Sequence, residues 1–175
     1  LVAFTREVSL IAVRAQDGTT AFYPLVENVH RGGILRFSMP RVGDPLQQQA
    51  EEHARRVLSD LDYVGVLAFE FFDRDGVLLA NEIAPRVHNS GHWTIEGAAC
   101  SQFENHLRAI AGLPLGETRA TSICAMFNLI GESPPLAELL ALPGAHPHLY
   151  GKSPKPQRKI GHLTVIADSA EELRL

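Results

Sequence analysis

Two apolar segments joined by a short polar turn constrain the fold of this chain most strongly. The segments are YVGVLAFEFF (63–72) and VLLANEIA (77–84), and the turn between them, DRDG, ends in Gly76. Strand-like runs on either side of a turn that contains glycine predict a β-hairpin. Because both strands are almost wholly apolar, we expect the hairpin to lie near the centre of a sheet.

Other strand and helix patterns surround this hairpin. Runs of β-branched and aromatic residues predict strands at residues 4–13, 21–24, 34–40, 123–131 and 160–167. Helical spacing of apolar residues predicts a helix from Gln47 to Leu61 and a short one from Leu136 to Leu140. A third helix is predicted after Ser101, with Glu104 completing a capping box and Gly112 ending it. This mixture of elements predicts an α+β fold.

A domain boundary is predicted where LPLGETRATS (113–122) interrupts these patterns with proline and glycine. We place the boundary near Gly116. Residues 1–116 are then expected to form an antiparallel sheet with helices on one face, and residues 117–175 a small β-rich domain folded against it.

The composition excludes several classes of protein. The 175 residues are 45% hydrophobic and 21% charged, as in ordinary globular proteins, and the net charge of -4 supplies no basic field for nucleic acid. Cys100 and Cys124 have neither the spacing of a zinc site nor the number of a disulfide framework, which fits a reducing cytoplasm. No stretch approaches the ~18 apolar residues of a membrane span. The chain begins with Leu1 rather than methionine and ends in DSAEELRL, which resembles the first turn of a helix. We therefore expect a piece of a longer protein.

Two carboxylates interrupt the apolar hairpin. Glu70 and Glu82 each lie in a strand of nearly all hydrophobic residues, where an unpaired charge costs several kcal/mol. If the turn lies at Arg74 and Asp75, Glu70 faces Leu79, and the two glutamates meet only through a bulge or a slipped register. Each glutamate by itself is better explained by an arginine partner or by solvent at a sheet edge. Both together, with Asn81 and Arg86 nearby, favour a magnesium ion that bridges carboxylates and phosphates.

A polar loop, APRVHNSGH (84–92), follows the second strand. Its arginine has the geometry to clamp an anion, and the polar residues after it offer hydrogen-bond donors. One alternative is a structural loop with Arg86 capping a helix end. A zinc site is another, since His88 and His92 lie four residues apart, but Pro85 and Gly91 disfavour the helix that such a site needs.

A basic cluster, GKSPKPQRKIGH (151–162), lies near the end of the chain. It contains Lys152, Lys155, Arg158, Lys159 and His162, with prolines that stiffen it. A charge run of this kind is most often a solvated loop. A phosphate-binding site is the more specific alternative.

These segments together resemble the 5-(carboxyamino)imidazole ribonucleotide synthases, a family of ATP-grasp enzymes of purine biosynthesis. The resemblance extends over essentially the whole chain, and NEIAPRVHNSGHWT (81–94) is a highly specific part of it. It implies that residues 1–116 form the second half of an ATP-grasp domain. It also implies a reaction in which ATP phosphorylates bicarbonate, and carboxyphosphate then carboxylates the exocyclic amine of 5-aminoimidazole ribonucleotide.

The resemblance further implies a role for individual residues. Glu70 and Glu82 match magnesium ligands, with manganese as an alternative metal. The positions that match nucleotide contacts are Glu7, His30, Asn81 and Glu82. Arg86, as a catalytic residue, matches the loop that handles bicarbonate and the imidazole substrate, together with His88, Asn89 and Ser90. Lys152 and Arg158 match basic residues that hold the phosphate of the ribonucleotide.

In this family, a substrate domain, phosphate-binding lysines and a glycine-rich lid precede the matched part. The resemblance therefore implies that this chain holds half an active site and is inactive in isolation. A cytoplasmic homodimer that uses small-molecule substrates, with neither nucleic acid nor membrane as a partner, is expected of the full-length protein. Two alternatives remain, namely another ATP-grasp enzyme of purine biosynthesis, such as one that uses formate, and a noncatalytic nucleotide-binding module.

Overall fold

One antiparallel sheet organises the chain in a computed structural model, which describes residues 2–173. The strands are β1 (Arg6–Arg14), β2 (Thr20–Phe22), β3 (Val26–Arg31), β4 (Ile34–Pro40), β5 (Gly65–Arg74), β6 (Val77–Ala84), β7 (Ile123–Ile130), β8 (Ala145–Leu149) and β9 (Lys159–Ala167). The helices are α1 (Gln47–Asp60), α2 (Thr94–Gly97), α3 (Gln102–Ile110) and α4 (Leu136–Leu140). The strand order is β6-β5-β1-β3-β4-β7-β9-β8, with β2 paired to β1. The predicted α+β class is confirmed.

The predicted hairpin is present as β5 and β6, and its turn has positive φ at Asp75 and Gly76. Its predicted position at the centre of the sheet is wrong, because β6 is an edge strand of the described sheet. Apolar composition did not indicate burial here. Val77 is 52% exposed and Ile83 is 39% exposed, whereas Leu78 and Ala84 are buried.

Helices cover both faces of the sheet, so the prediction of helices on one face is wrong. The face defined by Val8, Leu10 and Ala12 of β1 packs against α1. The opposite face, defined by Ile11 and Val13, packs against Trp93 and against Ala109 of α3. We call this opposite face the site face. The physical reason lies in β1 itself: consecutive residues of a strand point to opposite sides, and a strand that is apolar on both sides needs cover on both.

Most of the predicted elements are confirmed. In α3, the Ser101 side chain accepts a hydrogen bond from the Glu104 backbone N–H, and Gly112 follows the helix with positive φ. The Glu104 carboxylate pairs with Arg108 at 2.6 Å, so its half of the predicted capping box is not formed. The strands β3 and β8 and the short helix α2 were not predicted. The proline in β8 is tolerated because β8 is the other edge strand of the described sheet.

The sheet continues across the predicted domain boundary, since β4 pairs with β7. Near the carboxyl end, a 3-10 turn spans Glu171–Leu173, whereas residues 174 and 175 of the predicted helical turn lie outside the described residues, as does Leu1. Among residues 2–173, no helix is long and apolar enough to cross a membrane.

Candidate functional site

A β-bulge brings Glu70 and Glu82 together at the end of the hairpin. Phe72, not Glu70, pairs with Leu79, so the simple count from the turn gave the wrong partner. The register then skips Asn81, the bulge residue, and Glu70 pairs directly with Glu82. Directly paired residues of an antiparallel ladder point to the same side. Both carboxylates therefore lie on the site face. The sequence analysis required a bulge or a slipped register for the two glutamates to meet, and the structure has the bulge.

This pair of carboxylates has little neutralising charge from its own chain. Within residues 2–173, neither glutamate forms a salt bridge with lysine or arginine, and the nearest basic group, His88 Nε2, lies 3.5 Å from Glu70 Oε1. Burial raises the pKa of Glu70, and Glu82 adds to the rise, while His30 and Arg86 oppose it. The two carboxylates therefore form a local excess of negative charge that a cation would relieve.

The donor set fits a hard cation shared with a substrate. The described residues contain no group of three or more histidine, cysteine, aspartate or glutamate side chains placed to hold a metal. Magnesium commonly takes only one or two protein carboxylates and completes its shell with water and phosphate oxygens. Zinc needs three or four protein ligands, and the described part of the chain does not supply them.

Glu7 and His30 lie beside the carboxylates on adjacent strands. Glu7 is on β1, and His30 is on β3, opposite a second bulge at Arg36 of β4. His30 Nδ1 forms a hydrogen bond with Glu7 Oε2. The structure thus brings together Glu7, His30, Glu70 and Glu82, which the sequence assigned to nucleotide and metal.

The polar loop after β6 is held from two sides. The hydroxyl of Tyr63 donates to the Pro85 carbonyl at 2.8 Å, and a 3-10 turn spans Asn89–Gly91. The buried side chain of Gln102 accepts from the His88 N–H at 2.9 Å and donates to the His88 carbonyl at 2.7 Å. Gln102 therefore fixes the backbone at His88, a role that sequence reasoning missed.

A buried chain of hydrogen bonds orients the imidazole of His88. Ser38 donates to Asn28, Asn28 to Ser9 at 2.9 Å, and Ser9 to the hydroxyl of Ser90 at 2.7 Å. The Ser90 hydroxyl lies 2.9 Å from His88 Nδ1. Because Ser90 accepts from Ser9, its own proton is available to donate to Nδ1. Burial, with help from nearby positive groups, lowers the pKa of His88 to about 4, so this imidazole is neutral and its Nε2–H faces Glu70.

Arg86 lies near the start of this loop, two residues after β6 ends, and its side chain is exposed. Its Nη1 donates to the carbonyl of Val87 at 3.0 Å, and its charge partly opposes the rise that burial causes in the pKa of Glu70. No carboxylate within residues 2–173 forms a salt bridge with it. The guanidinium therefore retains donors for an anion next to the carboxylate pair.

The basic cluster divides into exposed and partly buried residues. Lys152 is exposed with its Nζ 5.3 Å from the centre of the Tyr150 ring, and Arg158 is exposed with Nη1 on the Ser153 carbonyl at 3.3 Å. Lys159, which the sequence placed in the basic cluster but not among the individual site residues, reaches the loop and contacts Asn89. One signal was available, since Lys159 directly precedes the apolar run IGHLTVIA and so begins a strand.

Next to Lys159 stands a column of aromatic rings. His148 and His162 stack with their centres 4.4 Å apart, and His92 stacks on the other side of His162 at 4.7 Å. Tyr150 Oη lies 2.6 Å from His162 Nδ1. Burial lowers the pKa of His162 to about 3 and also lowers that of His92, so both imidazoles are neutral near pH 7. His88 thus contacts Ser90 and Glu70, whereas His92 contacts Lys159 and His162. The two histidines do not form the zinc pair that their spacing allowed.

Comparisons with known proteins agree with the resemblance seen in the sequence. The family model of the ATP-grasp domain matches residues 1–103. The family model of the phosphoribosylaminoimidazole carboxylase C-terminal domain matches residues 124–175. A curated relative from Pseudomonas aeruginosa, N5-carboxyaminoimidazole ribonucleotide synthase, is 64% identical over 170 residues, which are 97% of this chain and 47% of the relative. The chain therefore spans about half the length of the curated relatives it matches.

Solved structures of similar proteins give the same result. The N5-carboxyaminoimidazole ribonucleotide synthetase of Thermus thermophilus has a TM-score of 0.96 and 60% identity, over 99% of this chain and 49% of that one. The N5-carboxyaminoimidazole synthase of Aspergillus clavatus, in complex with ADP and 5-aminoimidazole ribonucleotide, has a TM-score of 0.90 and 38% identity. That match covers 98% of this chain and 49% of the other.

Proposed function

Since the chain belongs to the ATP-grasp family, we propose that it carries part of the active site of a carboxylating ligase of purine biosynthesis. In the reaction, bicarbonate attacks the γ-phosphorus of ATP, and ADP leaves. The exocyclic amine of 5-aminoimidazole ribonucleotide then attacks the carbonyl carbon of carboxyphosphate and releases phosphate and a proton. The similarity to proteins named for this product supports the proposal.

The observation that carries the proposal is the bulge at Asn81, which pairs Glu70 with Glu82 on the site face. A structural hairpin has no need for two opposed carboxylates without a cation, because like charges directly opposite each other are destabilising. Glu70 and Glu82 would hold magnesium, with manganese as an alternative. A bound magnesium ion would supply charge neutralisation at the transferring phosphoryl group.

The pair formed by Glu7 and His30 is proposed to contact the nucleotide, together with Asn81 and Glu82. The support is their position, since the first two side chains bond to each other on β1 and β3 and lie close enough to Glu70 to change its pKa. The similar protein from Aspergillus clavatus has been solved with ADP. ATP binding by this chain is part of the same proposal.

The loop that begins at Arg86 is proposed to bind bicarbonate and the imidazole substrate. The guanidinium matches a planar anion bidentately and is the group proposed to stabilise charge during phosphoryl transfer to bicarbonate. His88 and Ser90 are held by the buried hydrogen-bond chain, so they are ordered before a ligand arrives. Asn89 adds an amide at the same place. Donors that are already in place before the reaction lower its activation barrier more than donors that must first reorganise.

Lys152 and Arg158 are proposed to bind the phosphate of the ribonucleotide. Both are exposed, and neither forms a salt bridge with a carboxylate of the described residues. The proposed domain division near Gly116 falls between the two matched family models. A homodimer of the full-length protein is part of this proposal and is tested by light scattering.

The decisive experiment measures ADP release by a full-length protein that contains this chain, with ATP, magnesium, bicarbonate and 5-aminoimidazole ribonucleotide. Glu82→Gln removes a carboxylate without changing side-chain size, and we expect kcat/KM to fall at least about 100-fold. Glu138→Gln is the matched control, because Glu138 is exposed on α4, and it should leave kcat/KM unchanged.

Other outcomes would select another function. ADP release that requires formate instead of bicarbonate would indicate another ATP-grasp enzyme of purine biosynthesis. ATP binding without substrate-dependent ADP release, unaffected by Glu82→Gln, would indicate a noncatalytic nucleotide-binding module. Either result would refute the carboxylating ligase.

A further inference from the structure

Lys159 connects two parts of the chain that are distant in sequence. It begins β9, is partly buried, and points its ammonium at the loop that carries Arg86 and His88. Its Nζ donates a hydrogen bond to Asn89 Oδ1 and lies 3.0 Å from His92 Nδ1. One ammonium group therefore contacts both ends of the 3-10 turn Asn89–Gly91.

The chemistry of an ammonium makes these contacts directional. It has three N–H donors and no acceptor. Asn89 must therefore turn its oxygen toward Lys159, which leaves its two Nδ2 hydrogens for another partner. Among residues 2–173, Asn89 Nδ2 donates to no group. By the same reasoning, His92 must present an unprotonated Nδ1 and carry its proton on Nε2, in agreement with the lowered pKa of this imidazole.

The charge of Lys159 has no ion-pair partner in the described part of the chain. The groups around it are the ring of Tyr150 at 5.4 Å, the neutral imidazoles of His92 and His162, and the positive charge of Lys152. Burial and Lys152 lower the pKa of Lys159 to about 7. A methionine of similar length would fill the same space without this desolvation cost. A lysine is therefore expected here only if its donors are needed.

We propose that Lys159 is a positioning residue whose ammonium fixes the amide of Asn89 and the tautomer of His92, so that Asn89 presents its Nδ2 donors to an anionic substrate. Lys159 itself does not touch the reacting atoms in this scheme. It acts through Asn89, in the way that an outer hydrogen-bond partner orients a binding group. The part of the inference that concerns the substrate rests on the proposed function, whereas the part that concerns His92 does not.

The first test is spectroscopic and needs no substrate. Long-range ¹H–¹⁵N spectra of protein labelled with [¹⁵N]histidine distinguish the two neutral tautomers, and His92→Gln assigns the signal. At pH 6, below the pKa of Lys159, we expect a single Nε2–H tautomer for His92 in the wild type. Lys159→Met should produce a mixture of tautomers, and Lys159→Arg should restore the wild-type pattern. Lys155→Met is the control, because Lys155 is exposed in the same loop.

The second test is kinetic and uses a full-length protein that contains this chain. Lys159→Met should lower kcat/KM for bicarbonate about 10- to 100-fold, the size expected when a binding group is misplaced. The KM for ATP should stay within about twofold, and Lys159→Arg should recover most of the loss. Circular dichroism and the melting temperature show whether each variant is folded.

The two tests separate the possible failures. An unchanged His92 tautomer in a folded Lys159→Met variant overturns the inference, whatever the protein catalyses. A changed tautomer with unchanged kcat/KM for bicarbonate overturns the role of Asn89 as a substrate donor. If the wild-type full-length protein shows no carboxylation, the proposed function fails instead, and the tautomer result still decides whether Lys159 orders the loop.

Discussion

The clamp formed by Gln102 predicts that Gly91 accepts no larger residue. An alanine Cβ at position 91 would lie 2.6 Å from Gln102 Oε1 and 2.7 Å from its Cδ, both far inside van der Waals contact. The φ of Gly91 is not in the left-handed region, so alanine is compatible with the backbone itself. The destabilising effect of Gly91→Ala therefore comes from displacement of the Gln102 amide.

The magnitude follows from the bonds that this displacement breaks. Gln102 is 0% exposed and makes two hydrogen bonds to the backbone of His88. At about 1 kcal/mol for each bond, we expect Gly91→Ala to lower the free energy of unfolding by about 2 kcal/mol. In a Gln102→Ala background the clash with the Gln102 amide is gone, and the same change should no longer destabilise the protein.

A double-mutant cycle measures this coupling. The single tryptophan, Trp93, is buried two residues after Gly91, and its fluorescence reports urea unfolding of this region. The four proteins are the wild type, Gly91→Ala, Gln102→Ala and the double variant. An equal cost of Gly91→Ala in both backgrounds would refute the reasoning, because it would show that the glycine is needed for another reason.

Three further predictions concern the same loop and its neighbours. Ser9→Ala should remove two buried hydrogen bonds, the one that Ser9 accepts from Asn28 and the one that it donates to Ser90, and lower the free energy of unfolding by about 1–3 kcal/mol in urea titrations; no loss would contradict the hydrogen-bond chain. His92 and His162 have folded pKa values below the unfolded value, so the stability they confer is complete above about pH 6.5 and falls with acid, by up to about 1.4 kcal/mol per pH unit for each. His162→Phe should flatten that slope, and equal slopes would contradict the assignment. Arg86→Lys keeps the charge but loses the planar fork, so kcat/KM for bicarbonate should fall at least about tenfold in the full-length protein, whereas wild-type kinetics would exclude bidentate binding.

Local patterns predicted the elements well because their physical causes are local. The helical spacing that begins at Gln47, the cap at Ser101 and the glycine turn after Asp75 depend on a few neighbouring residues, and the structure confirms each. The strand β3 escaped prediction because its sequence, VENVHR, carries charged residues that resemble a loop. Its partners on both sides supply the hydrogen bonds that a local pattern cannot show.

The carboxylate pair shows where counting from a turn stops working. A hairpin register can be counted only while each residue has one partner, and the bulge at Asn81 adds a residue that has none. This single insertion changes the partner of Glu70 and also the face to which Glu82 points. The two glutamates nevertheless meet, because the bulge supplies the slipped register that their pairing required. The burial cost expected for both applies to Glu70 only, since Glu82 is exposed on the edge strand.

Lys159 illustrates the opposite situation, in which composition concealed a specific role. Five basic residues within twelve positions resemble a solvated run, and four of them, other than His162, are indistinguishable by charge alone. What separates Lys159 is that β9 begins with it, so the sheet directs its side chain toward Asn89 while Lys152 and Arg158 stay exposed. A basic residue that adjoins an apolar strand is thus constrained by the pleat of the sheet, and residues earlier in the run are not. The contact with Asn89 then depends on where the sheet places a loop 70 residues away, which no local pattern contains.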